Sequence, residues 1–124
     1  MLEKVIRVPD ATHSITIERS LVRVVVKAGG KVLAESGRAL ALKESGKPAV
    51  LYIPRKDVRL DSLERSPTAS YCPYKGDAQH YDIAAQNTRI ANACWSYDEP
   101  YWAVAEIEKH IAFDPDLIDC VAQP

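Results

Sequence analysis

Paired cysteines, a glycine-rich phosphate loop, a long apolar run and a surplus of basic residues are all missing from this sequence. Its 124 residues carry 16 lysines and arginines against 17 acids, a formal net charge of −1. Nothing here forms the extended basic footprint of a nucleic-acid-binding surface. No stretch approaches the roughly 20 apolar residues that span a bilayer. The opening "MLEKVIRVPDATHS" also lacks the apolar core of a secretory signal. The expectation is a soluble, cytoplasmic protein that binds neither nucleic acid nor membrane.

The three cysteines, Cys72, Cys94 and Cys120, are odd in number and far apart, which predicts reduced thiols. Structural zinc is usually announced by C-x2-4-C pairs. The chain has none, so no metal and no cofactor is expected. His13, His80 and His110 are spread too widely to propose a triad.

What is present is the pattern of one β-rich domain. A chain of this length buries about two thirds of the surface it exposes when unfolded. The first dozen residues read as a lead-in, and residues 13–124 as the domain. "SITIE", "LVRVVVK", "KVLAES", "RALALKE", "AVLYI" and "AQHYDIA" carry the alternation or short apolar runs of strands. Gly29-Gly30 between two of them predicts a hairpin turn, because glycine supplies the positive φ that such a turn demands. "SPTAS" reads as a loop, and "YIPRKDVRLDSLERS", with Val58, Leu60 and Leu63 between its charges, as a short exposed strand or one helical turn. Near the C-terminus, Pro100 with Val104, Ile107 and Ile111 at helical spacing predicts a short helix over about 101–109, followed by closing strands in "HIAF" and "LIDCVA". The fold class is mainly β, a curled antiparallel sheet or open barrel with one short C-terminal helix.

The stretches "GGKVLAES", "YIPRKDV", "CPYKG", "WSY" with Pro100, and "IAF" with Pro115 together resemble, in order and spacing, the bacterial family catalogued as domain of unknown function 427. The resemblance runs from about residue 13 to residue 119. It implies a fold similar to the tent-like sheets of the methionine sulfoxide reductase B group. The zinc of that group does not carry over, because its CxxC pairs are absent here. The family is also labelled a nucleotidyltransferase-type domain. That chemistry needs paired carboxylates for magnesium and usually a glycine-rich phosphate turn, and "CPYKG" supplies neither. The motif positions in this chain are Glu35, Ser36, Glu44, Tyr52, Pro54, Arg55, Asp57, Cys72, Lys75, Gly76, Trp95, Tyr97 and Pro100.

Each of these side chains has a chemical reading and a plainer one. Cys72 is the candidate nucleophile, since a cationic neighbour such as Lys75 or a protonated His80 favours the reactive thiolate. Alternatively it is a small hydrophobe at a strand end. Lys75-Gly76 is either an anion grip or a turn with a solvated lysine. Tyr52, Arg55, Trp95 and Tyr97 offer flat aromatic area and a bidentate donor fork for a ligand. The other option is core packing beside an Arg55–Asp57 surface pair. Glu35 and Glu44 serve as acid and base only if both face one cavity.

The reading adopted has Cys72, Lys75 and Glu44 as candidate catalytic residues. Glu35, Tyr52, Arg55, Trp95 and Tyr97 are the candidate binding residues, around a small anionic or polar molecule. Two alternatives stand beside it: a protein-interaction module presenting an aromatic patch, and a thiol-dependent enzyme using Cys72. The sequence does not choose between a monomer and a small homo-oligomer.

Overall fold

A computed structural model describes residues 4–85 and 87–123 of the chain. Ten strands run in order: β1 (Ile15–Arg19), β2 (Arg23–Ala28), β3 (Lys31–Ser36), β4 (Leu40–Glu44), β5 (Val50–Ile53), β6 (Leu63–Cys72), β7 (Gly76–Ala85), β8 (Thr88–Ser96), β9 (Ile111–Phe113) and β10 (Asp119–Gln123). They form two antiparallel sheets, one of seven strands ordered β1-β4-β5-β9-β8-β7-β6 and one of three ordered β10-β2-β3. The fold is mainly β, as the alternation predicts, and neither sheet closes into a barrel.

The small sheet begins with the glycine hairpin. Ala28 pairs with Lys31, and Gly29 and Gly30 between them have φ of +57° and +80°. Both central residues of a primed turn require positive φ, which is what the two glycines supply.

Strand alternation divides the core in two. Val24, Val26, Leu33, Ile53, Ile83, Ile111 and Phe113 belong to one buried cluster, contributed by both sheets. Leu42, Tyr52, Ala78, Tyr97 and Ala112 belong to a second, which Val104 and Ile107 complete. Tyr52 and Ile53 are consecutive, as are Ala112 and Phe113, so the clusters lie on opposite faces of the large sheet. The second face carries the site described below.

Three expectations need correction. The C-terminal helix is not α-helical: Trp102–Ile107 consists of 3-10 turns merged across a kink at Val104 (φ −126°). Its buried residues, Val104 and Ile107, are three apart, the repeat of a 3-10 turn, and six residues are too few for a stable α-helix. "SPTAS" lies within β6 instead of forming a loop, where the register shifts between Arg65 and Ala69. Because β6 is an edge strand, Pro67 sits there without breaking an interior ladder. The ambiguous stretch after Pro54 resolves into two 3-10 turns, Arg55–Asp57 and Leu60–Ser62.

The lead-in segment is tied to the domain. The Arg7 amide donates to the Pro73 carbonyl at 2.9 Å, and the Tyr71 hydroxyl donates to the Val5 carbonyl at 2.6 Å. No helix among the described residues is long and apolar enough to cross a membrane.

Candidate functional site

The site follows from period-two alternation on five strands. Glu44 ends β4 on the face already set by Leu40 and Leu42, and Val50 and Tyr52 take that face on β5. Ser70 and Cys72 on β6, Ala78 and His80 on β7, and Trp95 on β8 with Tyr97 just beyond it complete the set. Across the ladder, Ser70 stands opposite Ala78 and His80 opposite Trp95. Glu44, Lys47, Val50, Tyr52, Ser70, Lys75, Ala78, His80, Trp95 and Tyr97 together line a cavity of about 330 Å³.

Lys75 reaches this cavity from the turn joining β6 to β7. Cys72 pairs with Gly76, and the Lys75 amide donates to the Cys72 carbonyl at 3.2 Å. Gly76 has φ +108°, and a Cβ there would lie 3.4 Å from the Glu99 carbonyl oxygen. The close approach is held by the Tyr101 amide, which donates to the Lys75 carbonyl at 3.0 Å. Glycine is therefore required for the φ, whereas the approach of residues 99–101 would leave a Cβ at ordinary contact distance.

A buried ion pair is the centre of the cavity. Lys75 Nζ donates to Glu44 Oε1 at 2.7 Å, and the two side chains are only 10% and 5% exposed. The other carboxylate oxygen, Oε2, lies 2.7 Å from His13 Nε2 and 3.4 Å from Lys47 Nζ. His13 is held in place by stacking on Tyr74, with ring centroids 4.2 Å apart. Burial pushes the Glu44 carboxyl upward. The hydrogen bonds from Lys75 and His13, with the charges of Lys75 and Lys47, outweigh burial and hold its pKa at about 2. Glu44 is thus an anion at neutral pH.

Around the pair the aromatic groups are neutral. Burial first, then the nearby Cys72 and Glu44 charges, push the Tyr52 phenol up to about 12, against the opposing hydrogen bond from Trp95 Nε1. That bond is long, at 3.4 Å. Burial likewise raises the Tyr97 phenol. Burial lowers the His80 pKa, so its imidazole is neutral at pH 7, with Nε2 2.8 Å from Ser70 Oγ. Counting Glu44 as −1 and Lys47 and Lys75 as +1 each leaves the cavity one positive charge.

Six of the eight sequence candidates converge here: Glu44, Tyr52, Lys75, Trp95 and Tyr97 on the cavity wall, and Cys72 behind Lys75 with its Sγ 3.8 Å from Nζ. Two lie elsewhere. Arg55 donates to the Lys109 carbonyl, to Ser96 Oγ and to Asp98 Oδ1, tying the end of β5 to the segment after β8. Its partner is Asp98, not Asp57, which is held instead by Arg38 and Ser36. Glu35 is exposed on the small sheet and pairs with Arg23 at 3.0 Å across the hairpin, so it shares no cavity with Glu44. His13, Lys47 and Ser70 were not among the candidates. Lys47 had a usable signal, three residues after Glu44 in a turn; His13 did not, because nothing in the sequence announces the pairing of β1 with β4.

Among the described residues no three His, Cys, Asp or Glu side chains are placed to hold a metal ion. Cys72 and Cys94 are free thiols, the second fully buried.

Fold and site together define a class: a two-sheet antiparallel β domain with a charged, aromatic-walled cavity on the outer face of its larger sheet. The chain belongs to the family described as a domain of unknown function (DUF427), whose sequence model matches residues 16–123. No curated protein matches the sequence.

Proposed function

We propose that this domain binds a small polar or anionic molecule in the cavity above the Glu44–Lys75 pair. The observation that carries the reading is the pair itself, buried at the wall of a cavity of about 330 Å³ instead of within the packed core. Removing two charges from water is costly, so a buried ion pair that adds little net stability is more economically explained by a ligand. An ammonium group has three N–H donors. Glu44 Oε1 takes one of those of Lys75 and Cys72 Sγ faces another. The third is available to a ligand oxygen. Lys47 adds a second cation, and the protonated phenols of Tyr52 and Tyr97 add neutral walls. Tyr52 and Tyr97 are buried, which favours this reading over an exposed aromatic patch for a protein partner.

The test is a screen of small carboxylates, phosphates and their neutral isosteres against ¹⁵N-labelled protein. Binders are expected to move the Trp95 indole and the backbone amides of Ser70, Lys75 and His80, with at least a tenfold loss of affinity in Lys47→Ala. Hits that map away from these residues, or no hits at all, would remove the reading.

A second reading, thiol chemistry at Cys72, has in its favour the Lys75 ammonium 3.8 Å from the sulfur. Iodoacetamide labelling mapped by peptide mass spectrometry addresses it. Cys94 is expected to stay unlabelled in the folded protein, because burial, with a small addition from the Asp82 charge, pushes its thiol up to about 12. Labelling of Cys72 no faster than that of a free cysteine would remove the thiol reading.

A further inference from the structure

A second, apolar groove adjoins the cavity. It has a volume of about 220 Å³ and is lined by Ala49, Val50, Leu51, Ile53, Trp95, Phe113 and Pro115. Val50 and Trp95 line both spaces, so the groove and the charged cavity adjoin at these two side chains.

The shape of the sheet explains the groove. β9 is three residues long and pairs with β5 only at Tyr52 and Ile53. Phe113 is its last residue, and Pro115, two residues on, has no amide to continue the ladder. The beginning of β5, at Val50 and Leu51, therefore runs on without a partner on that side. A slot is left between β5 and β8 that Trp95 and Phe113 flank from opposite faces. Every lining side chain is apolar. An apolar space of about 150 Å³ accepts a benzene-sized group, so this one is large enough for a short alkyl chain or one ring.

We propose that the ligand is an amphipathic acid, a carboxylate whose charged end meets Lys75 and Lys47 and whose apolar end passes the edge of Trp95 into the groove beside Leu51 and Phe113. The inference rests on the ligand-binding reading above and adds the chemical class. Two observations choose this occupant. The charged cavity carries one net positive charge, and the apolar groove beside it shares two of its lining residues. A purely polar ligand leaves the groove in water, and a hydrocarbon leaves the net positive charge of Lys75, Lys47 and Glu44 without a counter-charge.

Trp95 makes the test direct. The other tryptophan, Trp102, is 79% exposed and lines neither space, so Trp102→Phe leaves a single reporter. Acetate, butanoate, hexanoate and octanoate, with the matched alcohols and amines, are titrated against Trp95 fluorescence in this variant. Affinity for the acids is expected to rise with chain length, by up to about fourfold per methylene. Octanoate is expected to bind at least tenfold tighter than octanol or octylamine. Ala49→Phe, which places a ring in the groove, is expected to abolish the dependence on chain length while acetate still binds. Lys47→Ala is expected to lower the preference for acid over alcohol.

Acids that bind in the cavity with no dependence on chain length would overturn the amphipathic assignment and leave the binding reading standing. No response from any acid, alcohol or amine would overturn both. If sedimentation shows a dimer that Ala49→Phe disrupts, the groove is covered by a second copy of the chain, and the assignment is equally overturned.

Discussion

Glu44→Ala is expected to destabilise the domain by about 4 kcal/mol, because it leaves the Lys75 ammonium buried without its counter-charge. The measurement is urea unfolding followed by Trp fluorescence, with the midpoint shifted and the slope unchanged. Replacing both partners, in Glu44→Leu with Lys75→Met, is expected to restore most of that loss, because two apolar chains of similar volume need no water. A double variant as unstable as Glu44→Ala would mean that the pair does not act as a unit. The same residue governs acid stability. Its carboxyl titrates at about 2 in the folded protein, against an ordinary 4.5, so on acidification the unfolded chain takes up the proton first. The stabilisation is complete above about pH 5 and is lost as the pH falls from 4.5 towards 2, by roughly 3 kcal/mol. In Glu44→Gln this part of the pH dependence is expected to vanish.

Gly76→Ala is expected to cost about 2 kcal/mol or more, and to do so through the site. The residue sits at φ +108°, well beyond the left-handed region at about +57° that an L side chain tolerates, while the new Cβ would meet the Glu99 backbone oxygen only at ordinary contact distance. Gly46 is the control: its φ of +77° lies closer to the left-handed minimum, so Gly46→Ala is expected to cost only about 1 kcal/mol. Because Gly76 follows Lys75 directly, the strained variant is also expected to shift the Trp95 indole resonance, and Gly46→Ala is not. Equal costs at the two glycines would contradict the greater backbone strain assigned to the β6–β7 turn.

Much of the cavity was legible in the sequence because alternation is a local rule. Leu40, Leu42 and Glu44 are spaced two apart, as are Val50 and Tyr52, and a strand with this spacing commits every second side chain to one face. What alternation does not reveal is which strands become neighbours. β1 pairs with β4 and β5 with β9, both over long stretches of chain, and these pairings bring His13 to Glu44 and open the groove beside Phe113. Arg55 stands away from this cavity for a related reason. Its motif position is explained by the Lys109 carbonyl and Asp98, distant partners that make it a clamp between segments. Eight of the motif positions thus fall into two sets: Ser36, Arg55 and Asp57 hold segments together, and Glu44, Tyr52, Lys75, Trp95 and Tyr97 line one cavity. The short helix expected over 101–109 is present as 3-10 turns over Trp102–Ile107, and Ile111, which the helical spacing also included, belongs to β9.

The most direct test of the binding cavity is the lysine ammonium ¹H–¹⁵N spectrum recorded during an octanoate titration. Lys75 Nζ, shielded and hydrogen-bonded to Glu44, is expected to give a resolved signal. It should move saturably and in step with the Trp95 indole resonance. Signals of Lys75 and Trp95 that stay fixed while resonances elsewhere respond would contradict the account.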